Sequence, residues 1–575
     1  MCDQYVYDMS TANEMTESIM LRRDWISILD QMNTNYASSQ SILDTSQLSN
    51  SSKWMSYGES MLVCPMSMVL TTGNGGSAFN TPGGAPDLQV GLKSWFGNIV
   101  HSITVDLAGT TIIMQIPYSN LYNSFKLMAS LDLNSVLNMG STIGFYPDNP
   151  MSVGFCPAHN NTTEFHGLGS CNNTNYFVPV LELDSAILRS NNDLWNEGFL
   201  KRQQYYNLNP AGTVGDFDSA LSTLIPTTGL QQSYKSYITN VTATVWQVGI
   251  TAIIYLKHLH SFFKEVPLTK GLFFRITMNL NQSLLTFTTA NGSVAAGTFP
   301  TLTVDSINTS FGGSSLSQIS NLVGELIGDV NIFQAFPQGT YQLSVCIGNR
   351  SIYQQQIALG AVNNQNTDGS IHLNIPSYVF SPLFEAAYLS NNIKKIVYKD
   401  IYQYLVPNVA TGANINSLIT NGIASIANVI AVPFYTATAN ANINPIQSPF
   451  DNTGAGNTSP YCYLGNFQYV ISGSNAIYST ERFTYEQYCQ QLSGLYSING
   501  NMSDGLMSGL ISKQGFEQNL CYYAVDCGRA LAIEKTVPKS INLQALNYSA
   551  KALDVYIFVE YHTSVSIDLL SGSRV

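Results

Sequence analysis

Charged side chains are scarce in this chain of 575 residues. Asp, Glu, Lys and Arg together make up 10% of it, against about 25% in an ordinary soluble protein. The hydrophobic fraction is nonetheless 45%, with 33 Tyr and 26 Phe, and that excludes the charge-rich, aromatic-poor composition of a disordered chain. Basic residues are the scarcer sign. Lys and Arg number 24 against 36 Asp and Glu, a net charge of −12, so a surface that grips phosphate through clustered Lys and Arg is not expected. The nine cysteines are an odd number scattered from Cys2 to Cys527, which does not read as a disulfide framework. The opening residues, Met1-Cys2-Asp3-Gln4, lack a basic segment followed by an apolar run, so no secretory signal is expected. A reducing, intracellular place of synthesis is the reading that follows. Asn-x-Ser/Thr triplets at Asn160, Asn281, Asn349 and Asn501 are what so much Asn, Ser and Thr produces by chance.

Long hydrophobic runs are missing too. The stretch from Ser236 to Leu256 is interrupted by Asn240, Thr242, Thr244, Gln247 and Thr251. The stretch from Leu405 to Tyr435 contains Pro407, Gly412, Asn414, Asn416, Asn421 and Gly422. A spanning helix needs about 20 predominantly apolar residues, so no membrane span is expected. What replaces charge is Asn, Ser, Thr, Gln, Gly and Tyr. A solitary soluble protein keeps about 25–35% charge on its surface; a chain without it has surface suited to neighbours.

What is present is alternation. At about 100–200 residues per domain the length allows two to four domains. Residues 1–52 are polar, with one helical candidate from Asp24 through Met32, and read as an N-terminal arm, flexible or ordered by a partner. Beyond them Ile103/Val105/Leu107, Trp246/Val248/Ile250/Ala252/Ile254/Leu256 and Phe274/Ile276/Met278/Leu280 alternate with polar residues. The same period returns at Tyr341/Leu343/Val345/Ile347, Ile371/Leu373/Ile375, Leu553/Val555/Ile557/Val559 and Thr563/Val565/Ile567/Leu569. Strict alternation means strands with one face packed and the other wet or against a partner. Gly73-Asn-Gly-Gly, Pro82-Gly-Gly and Gly312-Gly-Ser-Ser separate them as turns and loops.

Short helices interrupt the strands. Ser119 or Asn120 can cap a turn with Leu121, Phe125 and Met128 on one face. Thr484-Tyr-Glu-Gln487 fits a capping box, with Tyr488 and Leu492 following, and Asn191–Tyr206 is a third candidate. A weak internal repeat of strand, helical loop and strand spans Ile253–Leu280 and Ile396–Phe434, with Ile415–Ala427 as the second helical loop. The expected fold is therefore all-β with short loop helices, in two similar tandem β domains at 53–295 and 296–575, each a sandwich or a jelly roll, with the junction in the Gly/Ser/Thr-rich passage Asn291–Ser315.

Few constellations carry chemistry. Cys156, His159, His166 and Cys171 offer two thiols and two imidazoles in one loop, a weak candidate for a tetrahedral zinc site with a spacing outside the common patterns. On that spacing the side chains read as unliganded, and a local disulfide is a third option. His258 and His260 share a face if their segment is a strand, and read as a polar rim beside Lys257 and Lys264. Cys521 and Cys527 read as small core residues. Glu182 and Asp184 alternate on a strand and read as a solvated face rather than an acid/base pair. No Gly-x-Ser-x-Gly elbow stands in a strand-to-helix setting and no phosphate-binding Gly-x-x-x-x-Gly-Lys loop occurs. Tyr398, Tyr402, Tyr404, Tyr522 and Tyr523 suit wet interfaces, and a glycan platform would use the same side chains. No catalytic residue and no cofactor is expected.

Several segments carry a resemblance. They are Pro117–Lys126 (PYSNLYNSFK), Phe262–Gly271 (FFKEVPLTKG), Asn416–Ile423 (NSLITNGI) within Leu405–Phe434, and Ile498-Asn-Gly with Asp504–Ile511 (DGLMSGLI). The end adds Val537–Ile541 (VPKSI), Leu553–Tyr561 (LDVYIFVEY) and Val565–Leu570. Together they resemble the double jelly-roll major capsid proteins of the virophage, polinton-like and giant DNA virus lineage, from about residue 100 to the end. The loops Pro147–Asn175 and Thr436–Pro460 lie outside the resemblance. It implies two jelly rolls side by side, a homotrimer forming a pseudo-hexagonal capsomer, and an icosahedral shell around double-stranded DNA. Neighbouring capsomers, penton proteins and minor or cement proteins would be its partners, the virion its location, and enzymatic activity absent. Two other readings compete: a carbohydrate-binding or glycan-cleaving β-sandwich protein, and a metal-dependent enzyme built on Cys156, His159, His166 and Cys171.

Overall fold

A computed structural model of the chain describes residues 19–72, 88–147, 154–157, 175–178, 203–205, 238–242, 245–290, 301–311, 317–321, 339–348, 350–351, 370–436, 462–477, 483–496, 510–518, 520–527, 536–549, 551–569 and 573–575. Within them the chain is mainly antiparallel sheet with a few short helices.

The first body is built from strands β1 (Met20–Leu29), β2 (Gln40–Asp44), β3 (Met61–Thr72), β4 (Val100–Leu107) and β5 (Thr110–Ile113), followed by helices α1 (Ser119–Ser130) and α2 (Leu133–Ile143). It continues through β6 (Val245–Tyr255), the short helix α3 (Ser261–Glu265), β7 (Phe274–Leu280), β8 (Ser283–Ala290), β9 (Thr301–Thr309), β10 (Gly339–Ile347) and β11 (His372–Phe380). One sheet runs β1-β11-β3-β10-β8-β9, with β6 on the other edge of β3; the second runs β2-β7-β4-β5. Period two decides which side chains are inside: Phe274, Ile276 and Met278 are buried while Arg275 is exposed, and Ile250, Ala252 and Ile254 are buried while Thr251 is exposed. Each buried Phe, Ile or Met side chain among them contributes about 1.5–3 kcal/mol by leaving water.

Helix α4 (Pro382–Leu389) leads into the second body: β12 (Ile393–Val409), β13 (Asn414–Ile423), β14 (Ile426–Tyr435), β15 (Leu464–Ile471), helix α5 (Tyr485–Tyr496), β16 (Tyr523–Asp526), β17 (Lys539–Asn547) and β18 (Leu553–Asp568). Its sheets run β12-β18-β14-β16 and β13-β17-β15. They pack through aromatics: Phe467 of β15 meets Tyr523 of β16 at 4.7 Å between centroids, and the Tyr523 hydroxyl accepts the Leu464 amide at 2.8 Å. Pro433 lies in β14 beyond Asn428–Ala431, the stretch that pairs with β16, so its missing N–H interrupts no second ladder. Buried side chains of both bodies belong to one hydrophobic cluster.

Four sequence expectations change. Asp24–Met32 is not helical: Asp24–Leu29 pairs residue by residue with Ser377–His372, because Ile26 and Ile28 turn inward at period two and the sheet overrides local preference. Residues 20–44, expected within an arm, supply strands to both sheets of the first body. The expected division at 295/296 falls between β8 and β9, which pair antiparallel in one sheet; sheet membership changes between Phe380 and Ile393. Ile415–Ala427 is strand, not helical loop: Ile415 and Ile419 are buried, and a spacing of four satisfies both periods. Of Asn191–Tyr206, only Gln203–Tyr205 is described, as a short strand. The capping box is present, with the Gln487 amide donating to Thr484 Oγ1 at 3.3 Å and the Thr484 amide to Gln487 Oε1 at 3.2 Å.

Candidate functional site at the seam between the two bodies

Helix α1 is wedged between the bodies. Every residue from Ser119 to Ala129 except Lys126 is buried, although the helix carries several polar side chains. Those find partners: Ser119 Oγ donates to the His101 carbonyl at 2.9 Å, Asn120 to Asn98 Oδ1 at 3.0 Å, and Asn123 to the Leu259 carbonyl at 3.1 Å. The residue before the helix, Tyr118, is left-handed at φ 57°, a conformation that costs a side-chain-bearing residue about 1–2 kcal/mol. It is held by its ring, which stands edge-on to His101 at 5.0 Å and to Tyr556 at 5.1 Å.

The seam meshes by a coincidence of two repeats. Four residues along a helix advance about 6 Å, and two residues along a strand about 7 Å. Tyr118, Tyr122 and Lys126 of the helix therefore keep step with Tyr556, Phe558 and Glu560 of β18. Tyr118 meets Tyr556; Tyr122 meets Phe558 at 5.7 Å; Lys126 Nζ meets Glu560 Oε1 at 3.2 Å. The other face of β18, Val555, Ile557 and Val559, is buried in the second body. The segment Leu553–Tyr561 thus has no wet face, and the expectation that its alternate side met water or a partner resolves to the chain's own first body.

Glu560 is the electrostatic centre. It is 2% exposed and accepts from Tyr122 Oη at 2.5 Å, Lys126 Nζ, Lys399 Nζ at 3.3 Å, and Asn428 Nδ2. Burial alone would push its carboxyl up. The Lys126 and Lys399 ammonium groups, with the hydrogen bonds from Tyr122 and Asn428, outweigh that and hold it down at about 2.

A second set of contacts closes the seam around α3. His260 Nδ1 accepts the Phe262 amide at 3.2 Å, so its Nε2 carries the proton toward Asp400 Oδ1 at 3.3 Å. Asp400 also accepts from Tyr561 Oη at 3.1 Å. Ser261 Oγ donates to the Lys399 carbonyl at 2.5 Å and accepts its amide at 3.0 Å. Tyr398 Oη donates to the Ile112 carbonyl at 2.7 Å, and its ring stands edge-on to Phe262 at 5.0 Å. Linker helix α4 is tied back to the first body through Glu385, which accepts from Lys270 Nζ at 2.7 Å and Trp54 Nε1 at 3.2 Å.

Most of these residues were not legible as a site. Glu560 had a signal, a lone carboxylate in the apolar run Tyr556–Tyr561, but its partners lie more than a hundred residues away. His258 and His260 are not on a strand: Leu256–Leu259 is a helical turn, His258 is half-buried, and His260 caps α3. Tyr398, Tyr522 and Tyr523 are buried rather than wet, whereas Tyr402 is exposed. Cys521 is buried and Cys527 half-buried. Cys156 lies on a short strand, Gly154–Pro157, paired with Asn175–Val178; His159, His166, Cys171, Glu182 and Asp184 lie outside the described residues. Among the described residues no group of three or more His, Cys, Asp or Glu could hold a metal ion, and no helix is long and apolar enough to cross a membrane.

Outside the seam, edge strands carry apolar side chains into solvent. On β1, Met20, Leu21, Trp25 and Leu29 are exposed; on β12, Ile393, Val397 and Tyr402 are exposed, the first two alternating with buried Ile396 and Tyr398.

No protein-family model and no curated protein matches the chain. Solved viral structures do. A cryo-EM structure of the Sputnik virophage is similar over 97% of this chain and 88% of that one, at 9% identity and a TM-score of 0.46. The Faustovirus major capsid protein is similar over 97% and 94%, at 8% identity and 0.40. The mavirus major capsid protein is similar over 96% and 89%, at 10% identity and 0.36.

Proposed function

We propose that the chain is a non-enzymatic major capsid protein whose two bodies are the two jelly rolls of one capsomer subunit. Three chains would form a pseudo-hexagonal capsomer, and capsomers would tile an icosahedral shell around double-stranded DNA. The observation that carries this reading is which segments build the seam. Pro117–Lys126 and Leu553–Tyr561, both quoted above for their resemblance to double jelly-roll capsid proteins, are packed against each other. Phe262, which opens a third such segment, packs on Tyr398. Several of the residues that carry the resemblance thus help to fasten the two bodies.

Surface chemistry supports the same reading. A shell subunit meets neighbours on several sides, and an interface core is poor in charge and rich in Tyr and Phe. The exposed apolar side chains of β1 and β12 are placed for such contacts, on strands that lie at sheet edges among the described residues, where an uncovered apolar edge is an association site. At net −12 the subunit leaves DNA contact to other components. Light scattering of the purified chain across a concentration series tests the proposal: a trimer that persists on dilution is expected, and a monomer throughout would overturn it.

A further inference from the structure

A cavity of about 200 Å³ opens in the second body between the first turn of α5 and the short helix Lys513–Gln518. Phe483, Phe516, Cys521 and Tyr523 are buried and form its floor, while Glu486, Lys513 and Glu517 are exposed and stand at its rim. The floor is aromatic. Between ring centroids Phe483 lies 5.3 Å from Tyr523 and 6.4 Å from Phe516, and Tyr485 lies 5.7 Å from Phe516. Its polar atoms are already engaged within the fold: Tyr485 Oη donates to the Ile511 carbonyl, Tyr523 Oη accepts the Leu464 amide, and Cys521 Sγ donates to the Phe516 carbonyl. The cavity therefore offers a guest ring surface below and charged groups above.

Beside it stands a second aromatic surface. Tyr463, on the cavity wall, lies 6.0 Å from the ring of Tyr548, a residue 56% exposed. The place of that ring is set by Gly465, where a Cβ would come within 1.9 Å of Tyr548 Cε2, so only glycine leaves room for it. The Tyr548 amide also donates to the Tyr463 carbonyl at 3.0 Å. A tyrosine ring held exposed in this way supplies contact area at little entropic cost. We propose that the cavity and the Tyr548 ring bind a neutral carbohydrate, one sugar ring in the cavity and the next on Tyr548.

Three features select that class of ligand. Sites for drug-sized molecules run to about 300–1,000 Å³, so this smaller one has room for a single ring. A sugar ring presents a face of weakly positive C–H groups, which suits the negative face of Phe or Tyr. Its hydroxyls each donate and accept, which matches a rim of two carboxylates and one ammonium. Among the described residues none of those three side chains is engaged in an ion pair or hydrogen bond. An anion would meet Glu486 and Glu517 and an organic cation would meet Lys513, whereas a neutral guest meets no like charge. Tyr523, whose residue type suits a glycan platform, is part of the floor.

The inference does not rest on the capsid proposal, which light scattering tests without sugar. Its own test is isothermal titration calorimetry of the full-length chain against neutral hexasaccharides of glucose, galactose, mannose and N-acetylglucosamine. At least one is expected to bind. Tyr548→Ala is expected to weaken that binding about tenfold, the upper range for one aromatic contact, and Tyr548→Phe to preserve it. Glu486→Gln combined with Glu517→Gln is expected to weaken it about 10–100-fold, as hydrogen bonds to charged acceptors are lost. These residues are exposed, so thermal midpoints are expected to stay unchanged, which separates binding from misfolding. Silence from every hexasaccharide would overturn the proposal. So would binding that Tyr548→Ala or the double Gln variant leaves unchanged, or binding confined to a heparin hexasaccharide, choline or a hexa-arginine peptide added as charged controls.

Discussion

Glu560 shows how much one side chain can hold together. It receives Tyr122 and Lys126 from the first body and Lys399 and Asn428 from the second. Removing one partner of a buried ion pair costs about 3–5 kcal/mol, because the remaining charge stays behind. Glu560→Gln is therefore expected to lower unfolding stability by that amount, read from denaturant titration. Acid acts at the same scale. The Glu560 carboxyl is held down at about 2, so its contribution is complete above the ordinary carboxylate range and is lost as pH falls toward 2. His101 moves from 6.5 to about 4 because burial disfavours the imidazolium. A depressed histidine stabilises above its unfolded value, and that stability declines as pH falls from about 6.5 to about 4. Thermal midpoints should accordingly drop across that window. His101→Phe, which keeps the stacking on Phe311, should flatten the drop; an unchanged slope would show that the proton uptake belongs to other groups.

Elements were more legible than their partners. Period two located β4, β6, β7, β10 and β18, because a strand with one packed face writes its burial into alternate residues. It failed where two periods coincide, as at Ile415 and Ile419, and where pairing overrode local preference, as at Asp24–Leu29. It also could not say what covers a second face. Tyr556, Phe558 and Glu560 read as one face of a strand, but only the fold shows that α1 lies on it. The edge strands carry a prediction of their own. Substituting aspartate at Ile393 and Val397, both exposed on β12, should leave monomer stability within about 0.5 kcal/mol while shifting the sedimentation profile from trimer to monomer. Retention of the trimer would remove β12 from the proposed contact surface.

At the scale of the molecule, a charge content of 10% now divides into two parts. Some of the neutral polar and aromatic residues serve the seam: Tyr118, Tyr122, Asn123, Asn428 and Tyr398 lie between the bodies. The remainder lie outside, where exposed apolar residues on β1 and β12 mark surface suited to neighbours. The two-body plan was legible from alternation and from the resembling segments; the position of the division was not, because sheet partners separated by hundreds of residues leave no local trace. Negative-stain imaging of the purified full-length chain tests the central claim most directly. The account predicts three-fold particles with pseudo-hexagonal outlines, each holding six β bodies; a field of single two-body particles at every concentration would contradict it.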